Sequence, residues 1–214
     1  MLPTTLVLVT PQYNHWGRRF MRLLPMKRIV KRIEKCASLN AAANNYVKQG
    51  DYEMAVEKHM TMQVNSRVCF NIAMLYAALK NFEMASYYFL SAISLDPWLT
   101  IGYYFFALLY QTKGEYHRAV HLYNKAATSF RNHEYIDYHQ LGVPLKLFKA
   151  DVLKNTAVCH FRIGSLLEAR RSIPKYSKEN INDLLVKIPP YQNELLLFKR
   201  PSIGASFCHL YKKN

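Results

Sequence analysis

The sequence predicts an all-α solenoid of four helix-turn-helix repeats, with an extended or hairpin insertion between repeats 3 and 4. Three observations carry this reading. Asn65 to Pro97, NSRVCFNIAMLYAALKNFEMASYYFLSAISLDP, reads as two amphipathic helices about a tight turn at Lys80-Asn81. Small residues stand at Ala73, Ala85 and Ala92, aromatics at Tyr76 and Phe89, and Pro97 closes the unit. Small side chains at a crossing let two helices approach closely, and aromatics fill the holes beside it. Second, the pattern returns thirty-four residues on, at Ala107, Tyr110, Ala119, Tyr123 and Ala126. Third, half of the 214 residues are apolar, with seven Gly and nine Pro, which suits helices around a core and argues against an all-β fold.

A helix-turn-helix period of thirty-four residues is the tetratricopeptide signature, and the function of such a chain lies in the surfaces its stacked helices present. In residues 36–62, Ala43, Tyr46 and Ala55 keep the spacing of a first repeat, with the turn at Gly50-Asp51. Residues 66–97 and 99–130 are the two regular repeats, and Gly114 marks the turn of the second of these. Tyr76, Phe89, Tyr110 and Tyr123 are expected in the core. Asp96-Pro97 reads as a helix start, with Asp as N-cap and Pro at the first helical position. Position 131, where the next closing Pro falls due, holds Arg. Residues 131–142, RNHEYIDYHQLG, lose the helical period, and Tyr135 to Tyr138 read as a short extended segment or hairpin. Ala157 and Ala169 restore the frame, with one helix expected from about Pro144 to Arg162 and another from Leu166 to Ile173. An insertion in a regular solenoid is usually a loop on one face, and often the binding face.

The domain organisation read from this is a loosely ordered basic extension over 1–35, a repeat domain over 36–191 with its insertion at about 131–143, and a basic tail over 192–214. The formal net charge is +15, and residues 1–35 hold eight Lys or Arg against the single acid Glu34. Such an excess suits nucleic acid, an anionic membrane surface or an acidic protein partner. The apolar stretch from Thr4 to Thr10 is too short to span a bilayer, and no basic residue precedes it, so it is a poor signal peptide. The segment WGRRFMRLLPMKRIVKRIEK that follows has three readings: a disordered or loosely helical extension, a membrane-surface basic helix, and a mitochondrial presequence.

Enzyme chemistry finds little support. The eight His are scattered, and H-E-x-x-H, G-x-S-x-G and a P-loop are all missing from the sequence. Cys159 and His160 are neighbours on one helix and point about 100° apart, so they are no nucleophile and base pair. The cysteines Cys36, Cys69, Cys159 and Cys208 show no metal spacing, which fits free thiols in a reducing compartment. No catalytic residue, metal or cofactor site is expected, and with no Gly-rich phosphate loop NADPH itself is not expected to bind.

The segments SRVCFNIAMLYAALKNFEMA and RNHEYIDYHQLGVPLKLFKADVL, with the insertion between the third and fourth repeats, resemble the cytosolic activator subunits of the NADPH oxidases. The resemblance runs from about Cys36 to Tyr191. It implies a non-catalytic regulatory protein, cytoplasmic and recruited to the membrane on activation. Such a protein binds a Rac-type small GTPase in its GTP form and promotes superoxide generation by the membrane flavocytochrome. By motif position the implied GTPase contacts are Ser66, Asp96, Trp98, Arg131, His133, Tyr135 and Asp137. Arg131 and Asp137 keep the family's basic and acidic residues, whereas Trp98, His133 and Tyr135 depart from its usual ones. The basic extension is not typical of the family, and ELLLFKRPSIG in the tail is a weak echo of its activation segment.

Each contact also has a plain structural reading. Asp96 and Ser66 suit helix caps, Arg131 suits a helix C-terminus, and Trp98 suits packing between repeats. Two other functions compete. A generic peptide-groove adaptor would clamp a carboxylate with Asn and Lys or Arg on the inner helices. Asn40, Asn44 and Asn71 stand at suitable positions, but Ile101 and Phe105 stand where cations are needed. RNA binding by a basic repeat is the other, with no base-reading pattern visible and the aromatics assigned to the core.

Overall fold

In the computed structural model, residues 15–173 are described, with side chains from Val30 onward. Within them the chain forms eight α-helices: α1 (His15–Gln49), α2 (Tyr52–Met60), α3 (Ser66–Ala78), α4 (Phe82–Leu95), α5 (Thr100–Thr112), α6 (Tyr116–Ser129), α7 (Lys149–Ile163) and α8 (Leu166–Ser172). A two-stranded hairpin, β1 (Tyr135–Asp137) and β2 (Lys146–Phe148), lies between α6 and α7. Each helix packs on the one before it, which makes a four-repeat solenoid: α1 with α2, α3 with α4, α5 with α6, α7 with α8.

The turn inside each repeat is closed by the same two hydrogen bonds, the first from Gly50, Lys80, Gly114 and Gly164, which donate their N–H to the carbonyls of Val47, Ala77, Gln111 and Phe161. Asp51, Asn81, Glu115 and Ser165 donate their backbone N–H to the carbonyls of Tyr46, Tyr76, Tyr110 and His160, each at 2.9 Å. The residue before each donor is left-handed: Gly50 (φ 79°), Lys80 (φ 59°), Gly114 (φ 76°) and Gly164 (φ 90°). This is a Schellman closure, which satisfies the last carbonyls of one helix as the chain enters the next. Asp51 and Asn81 then cap α2 and α4 by accepting from the N–H of Met54 and Met84. A Cβ built on Gly50, Gly114 or Gly164 meets nothing within 4 Å. Glycine serves the backbone angle there, and Lys80 adopts that angle without being glycine.

The small residues predicted at the helix crossings are all fully buried: Ala43, Ala55, Ala73, Ala85, Ala92, Ala107, Ala119, Ala126, Ala157 and Ala169. Phe70 joins two repeats, with its ring edge-on to Phe89 at 5.9 Å and to Phe105 at 5.8 Å. Phe89 and Tyr123 are core residues, as expected. Tyr76 and Tyr110 are not: both are half-buried, Tyr76 stacked on Tyr88 and Tyr110 lying beneath the Arg118 guanidinium. The corresponding slot in the first repeat, four residues after Ala55, holds His59. It is 1 % exposed, and neither ring nitrogen has a hydrogen-bond partner among the described residues. Burial lowers its pKa from 6.5 to about 4, so it is neutral at neutral pH.

Two boundaries differ from the sequence reading. The insertion runs to Phe148, and the helix expected from about Pro144 starts at Lys149. The residues from Lys146 to Phe148 pair with β1 instead, in the register Tyr135 to Phe148, Ile136 to Leu147 and Asp137 to Lys146. Helix α1 is continuous through Pro25, so the division placed at 35 falls inside one helix. The tail over 192–214 and the preceding residues 174–191 lie outside the described residues. Among the described residues no helix is long and apolar enough to cross a membrane.

Candidate functional site: one edge of the third repeat

The loop between α4 and α5 and the inserted hairpin meet at the start of α5. That helix has no cap of its own, because its N-cap position is Leu99 and makes no side-chain bond. The hairpin supplies the missing acceptor: the Tyr138 hydroxyl accepts from the N–H of Ile101 at 3.1 Å. Thr100 also bonds to that hydroxyl, and Ser129 Oγ donates to Thr100 Oγ1 at 2.8 Å. Tyr138 is itself buried, and burial first of all, with a contribution from Asp96, pushes its pKa up to about 12. Phe130, just after α6, is buried, as are Val143 and Leu147 of the insertion itself. The hairpin therefore shares the solenoid core through one strand face, Ile136 and Leu147, and turns the other face outward.

Of the seven residues expected at this edge, the structure joins three directly. The Arg131 guanidinium lies 4.2 Å from the centre of the Trp98 ring. Trp98 is 56 % exposed, so it is not packed between repeats. A cation over an indole face is the strongest of such pairings. Asp96 accepts from the Trp98 N–H at 3.0 Å and holds the loop that presents the indole. Asp96 is therefore not the N-cap of α5, which opens four residues later at Thr100. Arg131 does stand at a helix C-terminus: α6 ends at Ser129, and Arg131 follows the cap residue Phe130 with a left-handed φ of 53° and donates its N–H to the Thr128 carbonyl at 3.1 Å.

Tyr135 and Asp137 stand on the outward face of β1, immediately before the buried Tyr138. The Asp137 carboxylate accepts from the backbone N–H of His139 at 2.9 Å and pairs with its Nδ1 at 2.7 Å. The backbone bond first, then the ring bond, holds that carboxyl below its usual range. Two further residues, not singled out from the sequence, complete this face. Lys146 places its Nζ 3.7 Å from the Tyr135 ring centre, and the Phe148 ring lies 5.8 Å from that of Tyr135. The alternation KLF, read as a strand, was the available signal for them. His133 is exposed, with its backbone N–H on the Phe130 carbonyl. Ser66 opens α3 as Thr100 opens α5, one repeat away along the same edge. It is not a cap, because Asn65 caps α3 by accepting from the N–H groups of Arg67 and Val68. The edge thus offers a stacked Arg–Trp pair, two carboxylates, a lysine and two half-exposed aromatics. Large amphipathic side chains of this kind suit a protein partner.

The inner-face residues do not build a carboxylate clamp among the described residues. Asn40 and Asn71 are buried, as are Ile101 and Phe105. No group of three or more His, Cys, Asp or Glu among the described residues is placed to hold a metal ion.

Comparison with known proteins agrees with the repeat fold. A tetratricopeptide repeat family model matches residues 66–97 and 102–133. The NADPH oxidase activator of Dictyostelium discoideum is 38 % identical over 103 residues, covering 48 % of this chain and 17 % of that protein. Neutrophil cytosol factor 2 of Homo sapiens is 30 % identical over 138 residues, covering 60 % of this chain and 26 % of that protein. The mouse protein of that name is 33 % identical over 111 residues, covering 51 % and 21 %. The chain therefore spans about a quarter or less of the length of these relatives. Among solved structures, a crystal structure of MamA superposes with a TM-score of 0.52 at 15 % identity, covering 75 % of this chain and 83 % of that one. This last likeness shows the fold alone. The chain is a tetratricopeptide-repeat solenoid whose repeat region is similar to the NADPH oxidase activator and to neutrophil cytosol factor 2.

Proposed function

We propose that the chain is a non-catalytic regulatory protein that binds a Rac-type small GTPase in its GTP form and promotes activation of a superoxide-generating NADPH oxidase. The observation that carries this is the joining of two distant segments into one edge, through the Tyr138 bond to Ile101 and the Arg131 stack on Trp98. The relatives' names supply the oxidase, and the outward chemistry of the edge supplies the mode. Nucleotide dependence would come from the partner's switch loops, which are ordered only by the γ-phosphate. In this reading the solenoid edge holds the GTPase, and the assembled pair engages the membrane flavocytochrome. The test is superoxide production by flavocytochrome membranes supplied with GTP-loaded Rac and this chain. Production that rises with added chain, and returns to baseline with Arg131→Glu, supports the reading. Production independent of the chain overturns it.

A further inference from the structure

Among the described residues, one oxygen carries both hydrogen bonds of Asp137. Its Oδ1 accepts from the backbone N–H of His139 at 2.9 Å and meets the His139 Nδ1 at 2.7 Å. A carboxylate only accepts, so Nδ1 bears the proton of this contact. The backbone bond alone is a turn over two residues, which an Asp makes with whatever residue follows at that distance. The ring bond is particular to His139. Two donors from one residue hold Oδ1 in place and leave Oδ2 without a hydrogen bond among the described residues.

Stability does not account for the ring bond. The two side chains are 59 % and 43 % exposed, and an ion pair so open to water contributes little. Nor is the charge of Asp137 paired off from across the hairpin. Lys146 stands opposite Asp137 in the strand register, yet its Nζ lies 3.7 Å from the Tyr135 ring centre and 5.4 Å from that of Phe148. The two rings draw the facing ammonium onto themselves. Lys146 then acts on Asp137 through space, behind both bonds from His139. The outcome is a carboxylate that keeps its charge, is held by one oxygen and offers the other.

We propose that His139 is a positioning residue of this edge: it holds the Asp137 carboxylate by Oδ1 so that Oδ2 meets a cation or N–H donor of the bound GTPase. This rests on the reading of the edge as a GTPase site. Asp137 touches the partner, and His139 acts through Asp137. A carboxylate oriented in advance loses less freedom when the partner arrives. It also sets a preference, because a partner with a carboxylate opposite Oδ2 is repelled.

The test is a double-mutant cycle on the affinity of the full chain for Rac loaded with a non-hydrolysable GTP analogue. His139→Ala is expected to weaken binding about fivefold in the parent and to change nothing further in an Asp137→Ala background. His139→Asn, whose side-chain N–H can stand where Nδ1 does, is expected to restore most of the loss. His139→Leu, which fills space without a donor, is expected to behave as His139→Ala. A histidine that only shaped the hairpin would cost the same with and without Asp137. Absence of GTP-form binding in the parent overturns both this proposal and the GTPase reading. Parent binding that Arg131→Glu abolishes and His139→Ala leaves unchanged overturns this proposal alone. So does an equal loss in the two backgrounds, or a loss that His139→Asn does not relieve.

Discussion

Replacing Tyr138 by Phe removes one oxygen and keeps the ring that fills the space under the insertion, so no cavity opens. What is lost is the acceptor for the Ile101 N–H, in a residue with no solvent exposure. α5 has no side-chain cap to take over. A buried donor left without a partner costs about 1–3 kcal/mol, and a lost helix cap alone costs about 1 kcal/mol. Tyr138→Phe is therefore expected to destabilise the protein by about 1–2 kcal/mol. It should read as a lower urea midpoint at unchanged slope. Hydrogen exchange gives the location, because the Ile101 amide should lose protection while the amides of α3 keep theirs. Tyr135→Phe removes the same atom from a half-exposed ring on the same hairpin and should change stability by less than about 0.5 kcal/mol. An unchanged midpoint, or an Ile101 amide as protected as before, would show that the hairpin does not cap the third repeat.

Lys80→Gly should stabilise the protein by about 0.5–1 kcal/mol, because a left-handed residue with a side chain is strained and the other three repeats use glycine there. The urea midpoint measures it, and a fall in midpoint contradicts the account of the turns. His59 sets an acid limit. Its folded pKa of about 4 lies below its ordinary 6.5, so the unfolded chain takes up the proton first as pH falls. Its neutral form costs nothing extra above pH 6.5, and about 3 kcal/mol is lost between 6.5 and 4. His59→Phe puts into the first repeat the ring type found at Phe89. It should raise stability at neutral pH by removing two unpartnered nitrogens, and should flatten the loss in that pH window. A variant with the same acid profile as the parent would rule His59 out as the cause.

The repeat frame was legible because a helix crossing tolerates only small side chains, and those positions recur at a fixed interval. Every alanine chosen by spacing is fully buried. The turns were equally readable at Gly50-Asp51, Lys80-Asn81 and Gly114, where a left-handed residue precedes the next helix. The joins across the insertion were not readable. The Tyr138 bond to Ile101 spans thirty-seven residues, and no local pattern encodes a cap supplied from so far away. Asp96-Pro97 satisfies the rules for a helix start, yet the same carboxylate also suits a turn over two residues, and packing of α5 through Leu99 and Ile101 decided for the turn. The strand Lys146–Phe148 reads equally as the first turn of a helix, because its only strand signal is the three-residue alternation KLF. The hydrophobic stripe points Tyr76 and Tyr110 to the core, but they lie half-buried at its margin, Tyr76 against Tyr88 and Tyr110 against Arg118.

The measurement that tests the central claim most directly is the affinity of the full chain for Rac loaded with a non-hydrolysable GTP analogue and, separately, with GDP. It is repeated for Arg131→Glu and for Trp98→Ala. The account predicts binding in the GTP form alone. Arg131→Glu should lose it, and Trp98→Ala should weaken it by about tenfold or more, because the indole both contacts the partner and holds the guanidinium. Equal affinity in the two nucleotide states, or GTP-form binding untouched by both substitutions, would contradict the claim that this edge reads the GTPase.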